Sequence, residues 1–269
     1  MADIKNLKIG NKTISAIYLG NTQIGKVYSH MTTIYDANDG IPPNPIHYSK
    51  FSDVLANISS WQVFGDSISY GYSVPLDDVW HEVIHRMDEY NSITKYNNSL
   101  IGSEISDGGR SRDSFCERYT ELNRDVDLLT VFGGVNDWCH NNIPLGNYDD
   151  TTNVRSFYGA LNWLIPRLKE QCPKAIIVWI IPLKTKSNQA VEGTNADGTN
   201  TFGLRLTDYT NAIIEKCRQY KIKYINLYGV EILDPDVHGE HFHPDGLHPN
   251  VDGSEEIAKY LVENGYFGR

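Results

Sequence analysis

The stretch from Trp61 to Ser69 constrains the fold of this chain more than any other. It reads WQVFGDSIS, an apolar run that ends in Gly-Asp-Ser before a helix-compatible segment. Glycine allows a sharp turn that a side chain would obstruct. The Ser67 hydroxyl is therefore expected at the carboxyl end of a strand and the amino end of a helix, where backbone N–H groups point at developing negative charge. Gly-Asp-Ser also occurs in ordinary turns, so later stretches must decide whether Ser67 is catalytic.

Strands and helices alternate from about residue 51 onward. The apolar patterns predict strands at residues 62–65, 96–100, 128–132, 175–181 and 222–227, and helices at 79–90, 154–171, 206–220 and 253–263. Pro166 should kink the second of these helices or end its first part. Residues 188–200 are polar and contain glycine, which predicts a flexible excursion over the surface. Continuous apolar strands predict a parallel sheet covered on both faces, with right-handed crossovers.

Length and charge limit the classes of function. The chain has 269 residues, enough for one large domain or for a domain of about 200 residues with a small appendage. Its net charge is −10, from 24 basic and 34 acidic side chains, so a nucleic-acid partner is not expected. No apolar run approaches the length of a membrane span, and the first residues lack the pattern of a signal peptide. We therefore expect a protein made in the cytoplasm, with no membrane partner.

Cysteine usage agrees with a reducing compartment. Cys116, Cys139, Cys172 and Cys217 lie far apart and form no CxxC pair. The last two fall in helix-like segments, where cysteine usually acts as a small core residue. The four side chains are predicted to be free thiols.

A second glycine-rich turn follows the strand predicted at residues 128–132. The sequence there is FGGVNDW, which places Asn136 just after two glycines. Because the carboxyl ends of parallel strands share one edge of a sheet, Asn136 and Ser67 can face the same crevice. The carboxamide can donate to an oxyanion without changing its charge. An asparagine that closes its own turn is the alternative.

A histidine lies three residues after an aspartate near the carboxyl terminus, in the segment DGLH from Asp245 to His248. In a compact turn, the carboxylate can reach Nδ1 of the imidazole and leave Nε2 to accept a serine proton. A surface histidine is the alternative, since His238, His241 and His243 are close by. A metal site built from those three also stays open. No carboxylate or cysteine has a recognised ligand spacing, however, so no metal is expected.

Together these stretches resemble the SGNH (GDSL-type) hydrolase superfamily. Its blocks stand in family order: GDS at residues 65–67, Gly102, GVND at residues 134–137 and DGLH at residues 245–248. The resemblance covers about residues 55–269 and implies an α/β fold, a three-layer α/β/α flavodoxin-like sandwich with a five-stranded parallel sheet. Gly108 and Gly109 stay open as alternatives to Gly102. Ile68, where the family often has leucine, is a conservative departure.

The resemblance also assigns roles. It implies that Ser67 is the nucleophile, that His248 is the general base and later the acid, and that Asp245 orients the imidazole. It places the oxyanion between the Ser67 N–H, the Gly102 N–H and the Asn136 side chain. No metal or organic cofactor is implied, and the reaction is acyl transfer to water through an acyl-serine.

The first 35 residues differ from the rest of the chain. Residues 9–14 (IGNKTI) and 19–24 (LGNTQI) each place a Gly-Asn turn between β-type residues, which predicts short strands joined by tight turns. Residues 36–50 are rich in Pro, Asn and Asp and predict a linker to a main domain at residues 51–269. Residues 1–35 are either a β-extension of that domain or a docking module. They resemble a small β-module of phage and prophage tail-associated proteins, which implies attachment to tail proteins or self-association, and so a virion location.

Substrate and activity stay open within the family resemblance, whose members cleave acetylated sugars, lipids, thioesters and aryl esters. The sequence shows no helical lid of the kind that covers long-chain lipase sites. Its 17 tyrosines and five tryptophans, Trp138 among them, could either stack on sugar rings or pack in the core. With a phage-type module, the expected substrate is an O-acetylated bacterial surface carbohydrate. A bacterial lipase or small-molecule acylesterase is the first alternative. A carbohydrate-binding tail subunit without catalysis is the second.

Overall fold

The computed structural model describes residues 48–268 except 109–112, 140–142, 188 and 192, together with the backbone of four short strands between residues 18 and 36. The chain divides into two compact units, Met1–His47 with Arg269 and Tyr48–Gly268. The predicted linker at residues 36–50 lies mostly outside the described residues, and the larger unit begins within it.

The smaller unit contains two antiparallel strand pairs. The strands are β1 (Tyr18–Leu19), β2 (Thr22–Gln23), β3 (Lys26–Ser29) and β4 (Thr32–Asp36). Leu19 pairs with Thr22, so β1 and β2 flank the Gly-Asn pair of the second repeat. Short strands predicted at residues 19–24 are thus present, and those predicted at residues 9–14 lie outside the described residues.

In the larger unit, the described strands form one parallel sheet in the order β6-β5-β7-β8-β9. They are β5 (Ser60–Gly65), β6 (Thr94–Asn97), β7 (Leu128–Phe132), β8 (Ile176–Ile181) and β9 (Lys223–Asn226). This is the flavodoxin-like order, which confirms the predicted fold class. Only β6 departs clearly from its predicted position, because it is a half-exposed edge strand with no apolar run to mark it.

Helices cover both faces of this sheet. They are α1 (Phe51–Leu55), α2 (Ser67–Tyr70), α3 (Trp80–His85), α4 (Phe115–Arg118), α5 (Val135–Cys139), α6 (Phe157–Gln171), α7 (Leu206–Gln219) and α8 (Val251–Asn264). Side chains alternate between the faces of a strand. Leu129 and Val131 accordingly pack in one buried cluster, and Leu128 and Phe132 pack in the other. The two clusters make the sandwich three-layered.

The sequence predicts that Pro166 either kinks its helix or ends the first part of it, and the second of these outcomes does not occur. Helix α6 runs through Pro166 to Gln171. Proline lacks the N–H that would bond to the carbonyl of residue 162. The Tyr220 hydroxyl lies 3.4 Å from that Asn162 carbonyl and 3.2 Å from the Asn162 side-chain oxygen, so the backbone oxygen that loses its helical partner has another donor nearby. Burial of the apolar face of the helix on the sheet then outweighs the missing bond.

The excursion predicted at residues 188–200 contains no helix or strand among its described residues. Its end is not on the surface, however, because Asn200 is only 1% exposed. The Asn200 carboxamide donates to the Trp138 carbonyl (3.2 Å) and to the Tyr209 hydroxyl (2.9 Å). This buried side chain anchors the loop to α5 and α7.

Candidate active site

Ser67 lies at a tight turn between β5 and α2. Gly65 ends the strand, and a Cβ there would stand 2.5 Å from the Ser69 Cβ and 2.9 Å from the Ser99 hydroxyl, so only glycine fits. Asp66 caps the helix by accepting a hydrogen bond from the Ile68 N–H (3.0 Å). Ser67 is then the first helical residue, with its side chain at the carboxyl edge of the sheet, as the sequence predicted.

The structure brings Ser67, His248 and Asp245 together in one chain of hydrogen bonds. The Ser67 Oγ lies 2.8 Å from Nε2 of His248. Nδ1 of the same imidazole lies 2.7 Å from Oδ2 of Asp245. A carboxylate can only accept, so Nδ1 carries the proton and Nε2 is free to accept the serine proton.

Asp245 is fixed and kept ionised by its own turn. Its Oδ1 accepts from the N–H groups of Leu247 (2.9 Å) and His248 (3.0 Å). Partial burial acts to raise the pKa of Asp245, but the hydrogen bonds from the backbone and imidazole of His248 outweigh it and lower the pKa. The carboxylate is therefore charged at neutral pH and favours an imidazolium beside it.

The loop that carries His248 is held on two sides. The His243 N–H donates to the His248 carbonyl (2.8 Å), and Phe242 and Pro249 form an antiparallel bridge. On the other side, the Lys186 N–H donates to the carbonyl of Gly246 (2.8 Å). These bonds fix the height of the imidazole over Ser67.

Asn136 leaves the sheet beside Ser67. Their strands, β5 and β7, are neighbours that pair Gly65 with Phe132, at the point of this sheet order where ligands bind. The Asn136 Nδ2 donates to the Ser103 carbonyl (2.9 Å) and lies 3.5 Å from Oδ2 of Asp66. One N–H of the carboxamide is thus well bonded, and the other has only a long contact.

Gly102 lies in the loop after β6, with a φ of +74°. Among the described residues, neither its N–H nor that of Ser67 donates a hydrogen bond to the protein. Gly108, an alternative from the sequence, uses its N–H on the Ser106 carbonyl (3.0 Å). Gly109 lies outside the described residues.

Arg118 holds the segment between β6 and α4 in place and reaches the end of β5, and the sequence analysis missed it. The side chain is 6% exposed, and its guanidinium donates to the Asn98 carbonyl (2.8 Å), the Ser103 hydroxyl (2.8 Å) and the Asp113 carbonyl (2.9 Å). It also lies 3.4 Å from the Gly65 carbonyl. Burial lowers the pKa of Arg118, although its intrinsic value keeps it charged. A lone arginine in a short helix carries no motif that would have revealed this role.

Asp137 also positions the loop that contains Gly102. It accepts from the N–H groups of Ile105 (2.8 Å) and Ser106 (2.9 Å) and is fully buried. Burial, together with the nearby charge of Glu104, raises the pKa of Asp137 to about 7. Burial likewise raises the pKa of Asp66 to about 7, against its backbone hydrogen bonds and the charge of Arg118. In the sequence, the only sign that Asp66 and Asp137 belong to the site was their position in the GDS and GVND blocks.

Tyr72 lies against the imidazole at the rim of the site. Its ring centroid is 4.4 Å from that of His248, with 36° between the planes, and 42% of the residue is exposed. Trp138 is only 2% exposed and packs in the core, so the core alternative holds for that residue. The exposed aromatic ring next to the candidate base is Tyr72, which the sequence analysis did not single out.

A cavity of about 450 Å³ lies beside the loop of His248. Its lining includes Trp138, Lys184, Lys186, Gln189, Arg205 and Tyr228. Lys186 holds the Gly246 carbonyl, and the Gln189 carboxamide donates to the Pro244 carbonyl (2.7 Å). The cavity and the loop therefore share two residues as their common wall.

The histidines near the carboxyl terminus do have a carboxylate beside them. His238, Glu240 and His241 each offer a ligand atom, and these atoms all lie within 4.8 Å of one another. The expectation that no carboxylate stands at a ligand spacing from these histidines is therefore wrong. A 3₁₀ turn at Gly239–His241 brings the three side chains together, which the one-letter spacing did not reveal.

The cysteines take no part in the site. All four are free and buried, as the sequence predicted. Burial raises the pKa of Cys172 to about 11 and raises that of Cys116 and Cys217 further. These three thiols stay protonated at neutral pH and are poor nucleophiles.

In the described part of the chain, no helix has the length and apolar character needed to cross a membrane.

Comparison with known proteins agrees with this fold. A solved structure of a Lactobacillus plantarum protein is 28% identical, with a TM-score of 0.66 over 76% of this chain and 94% of its own. A possible lipase from Chitinophaga pinensis (22% identity, TM-score 0.58, 76% of this chain and 96% of its own) shares the fold. A lipase/acylhydrolase from Enterococcus faecalis also shares the fold (21% identity, TM-score 0.52, 76% of this chain and 94% of its own). No curated protein matches the sequence.

A family model shows which family the chain belongs to. The model of the GDSL-like Lipase/Acylhydrolase family matches residues 63–255, which contain Ser67, Asn136, Asp245 and His248. This match covers well over half of the chain. The chain therefore belongs to the GDSL-like lipase/acylhydrolase family and is an ester hydrolase.

Proposed function

We propose that the protein is a serine esterase that uses Ser67, His248 and Asp245 as a catalytic triad. The observation that carries this proposal is the continuous chain from the Ser67 Oγ through the imidazole (2.8 Å) to the Asp245 carboxylate (2.7 Å). In the described part of the chain, the Ser67 hydroxyl has no other hydrogen-bond partner, so its proton has one acceptor. Such an arrangement activates a serine that is otherwise a weak nucleophile.

Acylation follows from this geometry. The Ser67 Oγ attacks the ester carbonyl carbon while its proton passes to Nε2 of His248. The Asp245 carboxylate stabilises the imidazolium. The tetrahedral intermediate then collapses: the bond to the alcohol oxygen breaks, and the imidazolium returns the proton to that oxygen. Water repeats the sequence on the acyl-serine and releases the carboxylic acid.

The oxyanion is assigned to the Ser67 N–H, the Gly102 N–H and the Asn136 carboxamide. The two backbone donors have no partner among the described residues, which is the condition expected of donors that wait for a substrate. The bond of Asn136 to the Ser103 carbonyl fixes the amide, and its long contact to Asp66 can yield to a charged acceptor. Gly102 is favoured over Gly108 because the N–H of Gly108 is already bonded.

Replacing Asn136 with alanine tests this assignment. Loss of one oxyanion donor typically costs about 2.7–4 kcal/mol, or roughly 10²–10³ in turnover. We expect kcat for p-nitrophenyl acetate to fall in that range, with little change in KM, because the donor acts mainly in the transition state. A loss below about tenfold would mean that Asn136 only closes its turn.

The proposed substrate is a short acyl ester, most simply an O-acetyl group on a bacterial surface carbohydrate. The half-exposed Tyr72 ring beside His248 offers a face on which a sugar ring can stack. The adjoining cavity of about 450 Å³ presents lysine, arginine and glutamine side chains suited to hydroxyl groups. A lipase or small-molecule acylesterase is the alternative.

The preference for acyl length separates these alternatives. Across p-nitrophenyl esters from acetate to laurate, kcat/KM should be highest for acetate and fall with chain length. A higher value for C8 to C12 esters would support the lipase alternative. The Tyr72→Ala variant supplies the matched comparison. It should lower kcat/KM for acetylated sugars more than kcat/KM for p-nitrophenyl acetate.

Residues 1–35 are proposed to attach the enzyme to tail proteins or to other copies of the chain. Their short strands offer too little apolar area to stand alone. The larger unit closes without them, since the Tyr48 carbonyl accepts from Lys223 (3.1 Å) and Lys50 bridges to Tyr266. A non-catalytic binding subunit is the competing possibility, and the complete triad geometry argues against it.

A chain that begins at Tyr48 tests the attachment. It should hydrolyse small esters at the wild-type rate, because each proposed catalytic residue lies in the larger unit. It should also lose self-association or particle assembly, measured as a smaller mass by light scattering or as failure to join particles. Loss of activity with unchanged mass would instead make residues 1–47 part of the catalytic domain.

A further inference from the structure

We propose that His238, Glu240 and His241 form a binding site for one divalent transition-metal ion of the zinc class, separate from the hydrolytic site. Two imidazoles and one carboxylate offer ligand atoms that lie within 4.8 Å of one another. This donor set is one that Zn²⁺ uses in proteins, with a fourth position left to water or another ligand. Hard cations such as Mg²⁺ and Ca²⁺ favour several oxygen ligands, which this cluster does not supply.

The fold gathers these side chains without help from an ion. The His241 N–H donates to the His238 carbonyl (3.0 Å) and closes a 3₁₀ turn. Asn250, the residue before α8, then holds the turn from the other side. Its carboxamide donates to the Glu240 carbonyl (2.6 Å), and its N–H donates to the His241 carbonyl (3.0 Å). The ligands are thus largely preorganised, which lowers the ordering cost of binding.

The tautomer of His241 suits a ligand. Nδ1 lies 3.0 Å from the Ile232 carbonyl. A carbonyl can only accept, so Nδ1 carries the proton and the lone pair is on Nε2. Histidines that bind metals commonly donate their second N–H to a backbone carbonyl in this way, which fixes the ring and strengthens the ligand.

His238 and Glu240 complete the set from the solvent side. The His238 Nδ1 lies 3.0 Å from Oε1 of Glu240, and its ring stacks on that of His241 with centroids 5.3 Å apart and 10° between the planes. The side chains of His238 and Glu240 are 29% and 65% exposed, so an ion can reach them and small rotations can close the site. The bound ion would replace the contact between His238 and Glu240.

The site lies on the segment that carries His248. Phe242, next to His241, bridges to Pro249, and His243 bonds to the His248 carbonyl. An ion would therefore stiffen the turn at Gly239–His241, which adjoins the Phe242–Pro249 bridge at the base of the loop. Ser67, Asp245 and His248 contribute no ligand, so metal binding and ester hydrolysis are separable.

Zinc titration of the full-length protein, stripped with a chelator, tests the site. Competition with a chromophoric zinc indicator should show tight binding of one equivalent to the wild type. Replacing either His241 with alanine or Glu240 with glutamine should weaken that binding at least about tenfold. Glu89→Gln, which removes an exposed carboxylate elsewhere, should bind zinc as the wild type does. Co²⁺ should give a visible absorption band in the wild type that His241→Ala lacks.

Three outcomes would overturn the proposal. They are the absence of tight zinc binding to the wild type, equal affinity in wild type and both ligand variants, and loss of the binding in His248→Gln with retention in His241→Ala. The last result would place the ion at the catalytic triad. A circular dichroism spectrum of each variant identifies any that fails to fold, and Glu240→Gln, at an exposed position, then serves as the deciding variant.

Discussion

Replacing Ser67 with alanine is expected to remove essentially all esterase activity. In the proposed mechanism the Ser67 oxygen becomes acylated, so its loss removes the covalent route altogether. In a serine hydrolase, loss of the nucleophile costs on the order of 10⁴–10⁶ in kcat, and the oxyanion donors sustain only the residual rate. The measurement is the initial rate of p-nitrophenyl acetate hydrolysis by the purified enzyme at saturating substrate. Thermal melting shows whether the variant is folded.

The fold should survive this change. Among the described residues, the Ser67 hydroxyl is hydrogen-bonded to His248 alone, while Asp66 caps α2 through its own carboxylate. Ser92→Ala, at an exposed turn position, is the matched control and should keep full activity. Wild-type rates in Ser67→Ala would refute the proposed nucleophile, because no other described hydroxyl has an imidazole in the same relation.

Replacing His248 with alanine should have an effect nearly as large. Without Nε2, no group accepts the serine proton at neutral pH, and the departing alkoxide has no acid to protonate it. The expected fall in kcat is again on the order of 10⁴–10⁶, with KM little changed. Steady-state kinetics with p-nitrophenyl acetate measure both values.

His85→Gln provides the matched histidine control. The His85 Nε2 bonds to the Ile93 carbonyl (2.8 Å), and among the described residues His85 makes no hydrogen bond to Ser67, Asp245 or His248. Glutamine can keep a donor to that carbonyl. This variant should retain the wild-type rate. If His248→Ala lost less than about a hundredfold, a different base would have to serve Ser67, since general acid–base catalysis alone contributes about 10²–10⁴.

The sequence predicted the sheet and the edge that carries the chemistry because both depend on local signals. The apolar runs of β5, β7 and β8 and the glycines after two of them are visible in a single sequence. Parallel strands bring their carboxyl ends to one edge, so Ser67 and Asn136 could be placed side by side without coordinates. The spacing from Asp245 to His248 likewise predicted the contact that the structure shows.

What the sequence could not predict depends on contacts between distant residues. Arg118 bonds to three widely spaced positions of the segment between β6 and α4, and no sequence spacing marks it. Helix α6 continues through Pro166 because packing and Tyr220 compensate for the missing bond, and both are tertiary effects. Tyr72 reaches His248 across 176 positions of sequence, so its place at the site appears only once the chain is folded.

Reaction with a fluorophosphonate probe tests the central proposal most directly. The Ser67 oxygen should attack phosphorus, form an Oγ–P bond and expel fluoride, while His248 accepts the serine proton. Intact mass should then show one added phosphonyl group on the wild type and none on Ser67→Ala, and peptide mapping should place the group on Ser67. Equal labelling of the two proteins, or an unlabelled but active wild type, would contradict the account.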